Sequence, residues 1–184
     1  MTPDPTLPLS HPVAVETIKP RGSVVRVEAD AAALSTLARV LDLASVESVV
    51  ARYDLTRNGE RVKLEGTIEA ALHQTCIVTL EPFPVSLSVP VRLDFAPQVE
   101  ISAAAAREGI DEDGKVDVEV RLNEDDPPEP ILDGMIDLGA VTQEFLALAL
   151  DPYPRKPGAA FDAPAAGPAV ESPFAALARL KRSE

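Results

Sequence analysis

Between Val49 and Leu72 the chain alternates apolar and polar residues with almost no slip, broken once by Asn58-Gly59. Before the break, Val49, Ala51, Tyr53 and Leu55 share one face, and Arg52, Asp54 and Thr56 share the other. After it, Val62, Leu64, Ile68, Ala70 and Leu72 point one way, while Arg61, Lys63, Glu65, Thr67 and Glu69 point the other. A period of two is the signature of a strand, and Asn-Gly tolerates the positive φ angles of a type I′ hairpin turn. A hairpin with one dry face and one wet face must be covered on its dry side. The chain is therefore committed to an antiparallel sheet carrying a lid.

The remaining pattern supplies further strands and two candidate lids. "VAVETI" and "SVVRVEA" are β-branched runs separated by "KPRG", a turn. "VSLSVPVRLDF" alternates Val85, Leu87, Val89, Val91, Leu93 and Phe95 against polar neighbours. Pro90 within it cannot donate to a ladder and predicts an edge or a bulge there. Residues 76–80 are expected to pair with this run through "EPFP". "KVDVEVRL" predicts one more strand through Val116, Val118, Val120 and Leu122. Asp30 is placed to cap a helix over "AAALSTLARVLDL", with Leu34, Leu37 and Leu41 on one stripe. Asp137 opens a second helix, "LGAVTQEFLALAL", with a stripe of Leu138, Val141, Phe145 and Leu148.

These elements predict an α+β domain over residues 12–150. Its curved antiparallel sheet has about six or seven strands, can curl toward a barrel, and is covered by two amphipathic helices. Residues 1–11 hold three prolines and are expected to form a loose leader. Residues 151–172 are rich in Pro, Ala and Gly and are expected to form a flexible tether. The closing segment 173–182 has Phe174, Leu177 and Leu180 at helical spacing, a short amphipathic helix suited to a partner, a second subunit or its own domain.

Composition excludes several functions. The one cysteine rules out an internal disulfide framework, and no apolar run approaches the roughly 20 residues a membrane helix needs. The first residues lack the charge and hydropathy of a secretory signal, so the expected location is cytoplasmic, away from membranes. The formal charge of −13 makes the whole chain a poor generic reader of phosphate backbones. Residues 108–137 hold twelve acids against two bases and carry most of that charge.

No catalytic, metal or cofactor set emerges. His73 and Cys76 have the spacing of half a zinc site, but no second pair exists, and strand phase puts them on opposite faces. "DEDGKVDVE" fails the ligand spacing of a calcium loop. A run of solvated acids lacks the shifted environment that general acid–base catalysis needs. The chain is read as non-enzymatic. Two surfaces remain. One is an acidic docking face, Glu112, Asp113, Asp117, Glu119, Glu124, Asp125 and Asp126, for a basic protein. The other is a basic strip on the hairpin's wet face, Arg52, Arg57, Arg61 and Lys63, for RNA.

The succession "LEGTIEAALHQTCIVTLEPF", "VSLSVPVRLDF", "EDDPPEPILDGMIDLGAVTQEFLALALDPYPRKPGA" and "PFAALARLK" resembles the YceD family of large-ribosomal-RNA accumulation proteins, of the alphaproteobacterial type. The likeness runs from about Pro12 to Lys181. It implies a non-enzymatic role in the synthesis, processing or stability of 23S ribosomal RNA. The expected partner is a basic ribosomal protein or large-subunit assembly factor, with indirect or weak RNA association. Many members of that family carry Cys-x-x-Cys-x-x-Pro-Phe in the central turn. Here Cys76 fills the first position and Thr79 the second, with Pro82 and Phe83 closing it. No ligand follows in "DPYPRKPG", so a metal role is not carried over, and Cys76 is expected to be a buried apolar plug. The Asp133-Gly134-x-Ile136-Asp137-Leu138 stretch also matches and is expected to be a turn leading into a helix cap.

Overall fold

The computed structural model describes residues 8–101 and 127–161. In chain order these form β1 (Pro12–Ala14), a 3-10 turn (Val15–Thr17), β2 (Ser23–Glu28), α1 (Ala31–Val40), β3 (Ser45–Asn58), β4 (Arg61–Thr75) and β5 (Pro82–Pro97). β6 (Glu129–Ile131), β7 (Met135–Asp137) and α2 (Leu138–Ala149) follow. The main sheet runs β2-β3-β4-β5-β6, and β1 pairs with β7 in a second, two-stranded sheet. Every pairing is antiparallel except β5 with β6, which is parallel over 95–97. The fold is α+β as expected. The sheet is open rather than closed into a barrel, since β2 and β6 are at opposite ends and do not pair.

The hairpin read from the alternation is the backbone of the molecule. Val49, Ala51, Tyr53, Leu55, Val62, Leu64, Ile68, Ala70 and Leu72 are all buried. The turn itself sits one residue later than expected. Asn58 pairs with Arg61, so Gly59 and Glu60 form the two-residue loop. Only Gly59 has positive φ (+64°), the pattern of a II′ turn with glycine at its first central position.

Both helices cover the dry face. Asp30 caps α1, its Oδ1 accepting from the Ala33 amide at 2.8 Å. The helix stops at Val40, earlier than its apolar stripe. Asp42 turns left-handed (φ 53°), and the Leu43 amide donates back to Ala38 O at 2.8 Å. Ala33 and Leu37 from α1 join Leu138, Val141 and Leu146 from α2 in one core with the sheet's inner residues.

Two further expectations shift. "VAVETI" is a strand only to Ala14, after which the chain makes a 3-10 turn. Residues 76–80 are not a strand. They are the turn between β4 and β5, because β4 runs to Thr75 and pairs it directly with Pro82. Among the described residues the expected edge at Pro90 is present: β5 is paired with β4 over 82–95, and on its other side only over 95–97. The predicted strand over "KVDVEVRL" and the closing segment 173–182 lie outside the described residues.

Candidate functional site

The outer face of the sheet follows from the register. Arg26, Arg52, Thr67 and Pro90 form one cross-strand row; Val24, Asp54, Glu65 and Arg92 form the next. Thr56, Lys63 and Asp94 make a third. Bases and acids thus interleave rather than segregate. Arg26 pairs with Glu28 at 2.8 Å and Lys63 with Glu65 at 2.9 Å. Arg61 pairs with Glu100, its Nε donating at 3.0 Å.

The titration of these groups follows their partners. Hydrogen bonding to Glu65 holds the Lys63 ammonium above its ordinary range, and the same bond holds Glu65 below its own. Arg61 is likewise raised, chiefly by Glu100. Such exposed pairs contribute little to stability, but they occupy the donors a phosphate would need.

Of the four residues assigned to a basic strip, the structure keeps only part together. Arg57 has the parity of Leu55, so it belongs to the dry face, where its guanidinium donates to Val15 O at 3.4 Å. Arg61 and Lys63 remain on the outer face but are ion-paired. Neither Arg52 nor Arg57 has an ion-pair partner among the described residues; Arg52, the one of the two on the outer face, stands opposite another cation, Arg26. Glu112, Asp113, Asp117, Glu119, Glu124, Asp125 and Asp126 all lie outside the described residues.

At the far end of the hairpin, Cys76 is fully buried yet absent from the apolar core cluster. Its thiol is held down to about 6, foremost by the Thr79 hydroxyl and further by the backbone amides of Lys156, Thr79 and Val78, against the opposing effect of burial. The apolar plug expected from sequence is instead a sulfur in a polar cradle. The cause is the turn and the stretch clasped to it: the amides of Val78 and Thr79, outside any ladder, and that of Lys156 converge on the sulfur. His73 is elsewhere, 3.1 Å from Ser45 Oγ and 3.3 Å from Glu47 Oε1. Among the described residues no group of three or more His, Cys, Asp or Glu side chains is gathered as a metal site would require.

The same turn fastens the beginning of the stretch read as a tether. Gln74 Nε2 donates to Asp151 O at 3.1 Å, the Ile77 amide to Pro154 O at 3.0 Å, and Lys156 Nζ to Glu81 at 2.8 Å. Sequence reasoning missed this clasp. Two of its acceptors are backbone carbonyls, and the side chains involved, Gln74 and Lys156, lie 77 and 75 positions from their partners.

The Asp-Gly-x-Ile-Asp-Leu stretch does what its residue types allow. Asp133 and Gly134 both have positive φ, and the Met135 amide donates to Leu132 O at 2.9 Å, closing a tight turn. Asp137 then caps α2 through Gly139 and Ala140. Its carboxylate also accepts from the His11 amide and the Ser10 hydroxyl, both at 2.7 Å, binding the N-terminal stretch to the helix start.

Taken together, these features define an open-sheet α+β scaffold with a mixed-charge outer face. The family model for the large ribosomal RNA subunit accumulation protein YceD matches residues 64–181, most of the chain. The protein belongs to that family, whose name ties it to accumulation of the large ribosomal RNA subunit. No curated protein and no solved structure matches it. Among the described residues no helix is long and apolar enough to cross a membrane.

Proposed function

We propose that this protein supports 23S ribosomal RNA accumulation without catalysis, by presenting the acidic stretch 108–137 to a basic ribosomal protein or large-subunit assembly factor. The observation that carries this reading is the state of the outer-face bases. Arg26, Arg61 and Lys63 are each engaged by a carboxylate of the same chain. An RNA backbone would have to break those pairs and then meet Asp54, Glu65 and Asp94 in the same rows. The chain's surplus negative charge lies instead in 108–137, where it favours a cationic protein and speeds the encounter.

The test is capture of large-subunit components by tagged protein at low and moderate salt. A strongly basic protein should be recovered at low salt and lost as salt rises, with RNA arriving only in its company. Recovery of protein-free RNA fragments would refute this reading. If Arg52→Glu then abolished that recovery, RNA contact through the outer face would replace it.

A further inference from the structure

We propose that the closing segment of this chain, Pro173–Lys181, seats in a groove between α2 and β5 of its own domain. This is independent of the acidic-face reading. The groove has a volume of about 360 Å³; Leu93 and Phe95 of β5 line one side, and Val141, Phe145 and Leu148 of α2 line the other. Leu148 is 75% exposed, on a helix whose opposite side is in the core. The same face of β5 continues through Val89, Leu87 and Val85, each only partly buried. A strip of apolar sheet and helix is thus left half-covered by the described residues.

Three observations select the occupant. Phe174, Leu177 and Leu180 recur at a spacing that puts them on one side of a helix, matching an apolar groove. Arg179, Lys181 and Arg182 accompany them, and the exposed carboxylates Glu129 and Glu144 stand at the groove. The path is also short enough. The clasp at Lys156 fixes the outgoing chain beside Glu81, at the start of β5. From there to Leu93 is about 36 Å along the strand. Sixteen residues, 157–172, separate Lys156 from Pro173, and the last eleven alone, extended, cover about 36–40 Å. The family match, moreover, runs through residue 181 and so includes this segment.

Native-state hydrogen exchange on the full chain tests the seat. Amides of residues 174–180 should exchange at least tenfold more slowly than in the free peptide 169–184. Leu148→Asp should abolish that protection; Leu148 is exposed, so β3 and β4 should keep their own protection. Exchange of 174–180 at the free-peptide rate in the unaltered chain would overturn the proposal. So would protection that survives Leu148→Asp, or protection lost on dilution together with a halving of mass in sedimentation, which would place the segment in a second copy.

Discussion

Tyr53 packs its ring over Gly66, its direct partner across the β3–β4 ladder. A Cβ at residue 66 would lie 2.5 Å from Tyr53 Cδ1 and would collide with the Arg52 carbonyl oxygen. The phenol meanwhile reaches the far side of the core, where its oxygen is 2.9 Å from Thr142 Oγ1. Thr142 spends its own proton on Leu138 O at 2.6 Å, so Tyr53 is the donor in this pair. Burial raises the phenol's pKa, outweighing the opposing bond to Thr142, which keeps it protonated and donating. One residue thereby joins the central strand pair to α2.

Gly66→Ala should therefore destabilise the fold by about 1–3 kcal/mol through overpacking. Tyr53→Phe, which keeps the ring and removes one buried hydrogen bond, should cost about 1 kcal/mol. Urea unfolding compares them. A Gly66→Ala protein as stable as the unaltered one would mean that the ring does not rest where a Cβ must go.

Asp137 gives a pH signature. Burial acts to raise its pKa, but the His11 amide, the Ser10 hydroxyl and the amides of Ala140 and Gly139 outweigh it, leaving the carboxyl below its ordinary value. A folded-state pKa below the unfolded one means stability that is full above the unfolded value, about 3.9, and is lost as pH falls through the folded one. Stability should thus decline more steeply below about pH 4 in the unaltered protein than in Asp137→Asn. At neutral pH, Asp137→Ala should cost about 2 kcal/mol, since it removes both a helix cap and the tie to Ser10. Parallel acid profiles for the unaltered protein and Asp137→Asn would contradict this.

What the sequence made legible was local. The alternation of 49–72, the caps at Asp30 and Asp137 and the edge at Pro90 each rest on a rule that spans a few neighbouring residues. Features closed by backbone groups across the chain were not legible. "CIVTL" has the composition of a strand, yet the chain turns there: the Cys76 amide donates to Glu81 O, and Ile77 bonds Pro154 rather than a strand partner. Residues 151–156 lack any periodicity because, Lys156 Nζ apart, they are anchored through backbone carbonyls, which carry no side-chain signal. Arg57, expected on the wet face, is on the dry one, as counting by two from Leu55 requires. The α2 stripe was too narrow: Leu146 is in the core, while Leu148, assigned to the stripe, points away from it.

Cys76 offers a second titration. With its thiol held at about 6, foremost by Thr79, replacing that residue by Val should move the thiol toward its ordinary value near 8.5. Thiolate absorbance against pH, with Cys76→Ser as the blank, reads this directly. The linkage has the same sign as for Asp137: the contribution is full above the ordinary thiol value and vanishes as pH falls through about 6. Cys76→Ser should therefore be more destabilising at pH 9 than at pH 5. Equal costs at the two pH values would show that the thiolate gains nothing from its cradle.

The last prediction concerns the edge of β5 that the described residues leave open. Pro90 stands opposite Thr67 in a ladder that shows no register shift, although proline has no N–H to give. That is consistent only if the nitrogen of residue 90 points away from β4, toward the free edge. By the two-residue period, Pro82 and Pro84 point the same way, so three edge donors are missing along one side of the strand. Unpaired edges recruit strands from other molecules, and proline is among the residues that prevent it. Replacing all three with Thr should leave the β4–β5 ladder intact and change unfolding free energy little, while restoring a row of outward amides. The expected outcome is self-association on mild heating, seen as light scattering well below the unfolding midpoint and absent from the unaltered chain. If the substituted protein scatters no more than the original, the prolines serve the turn at 76–81 and not the edge.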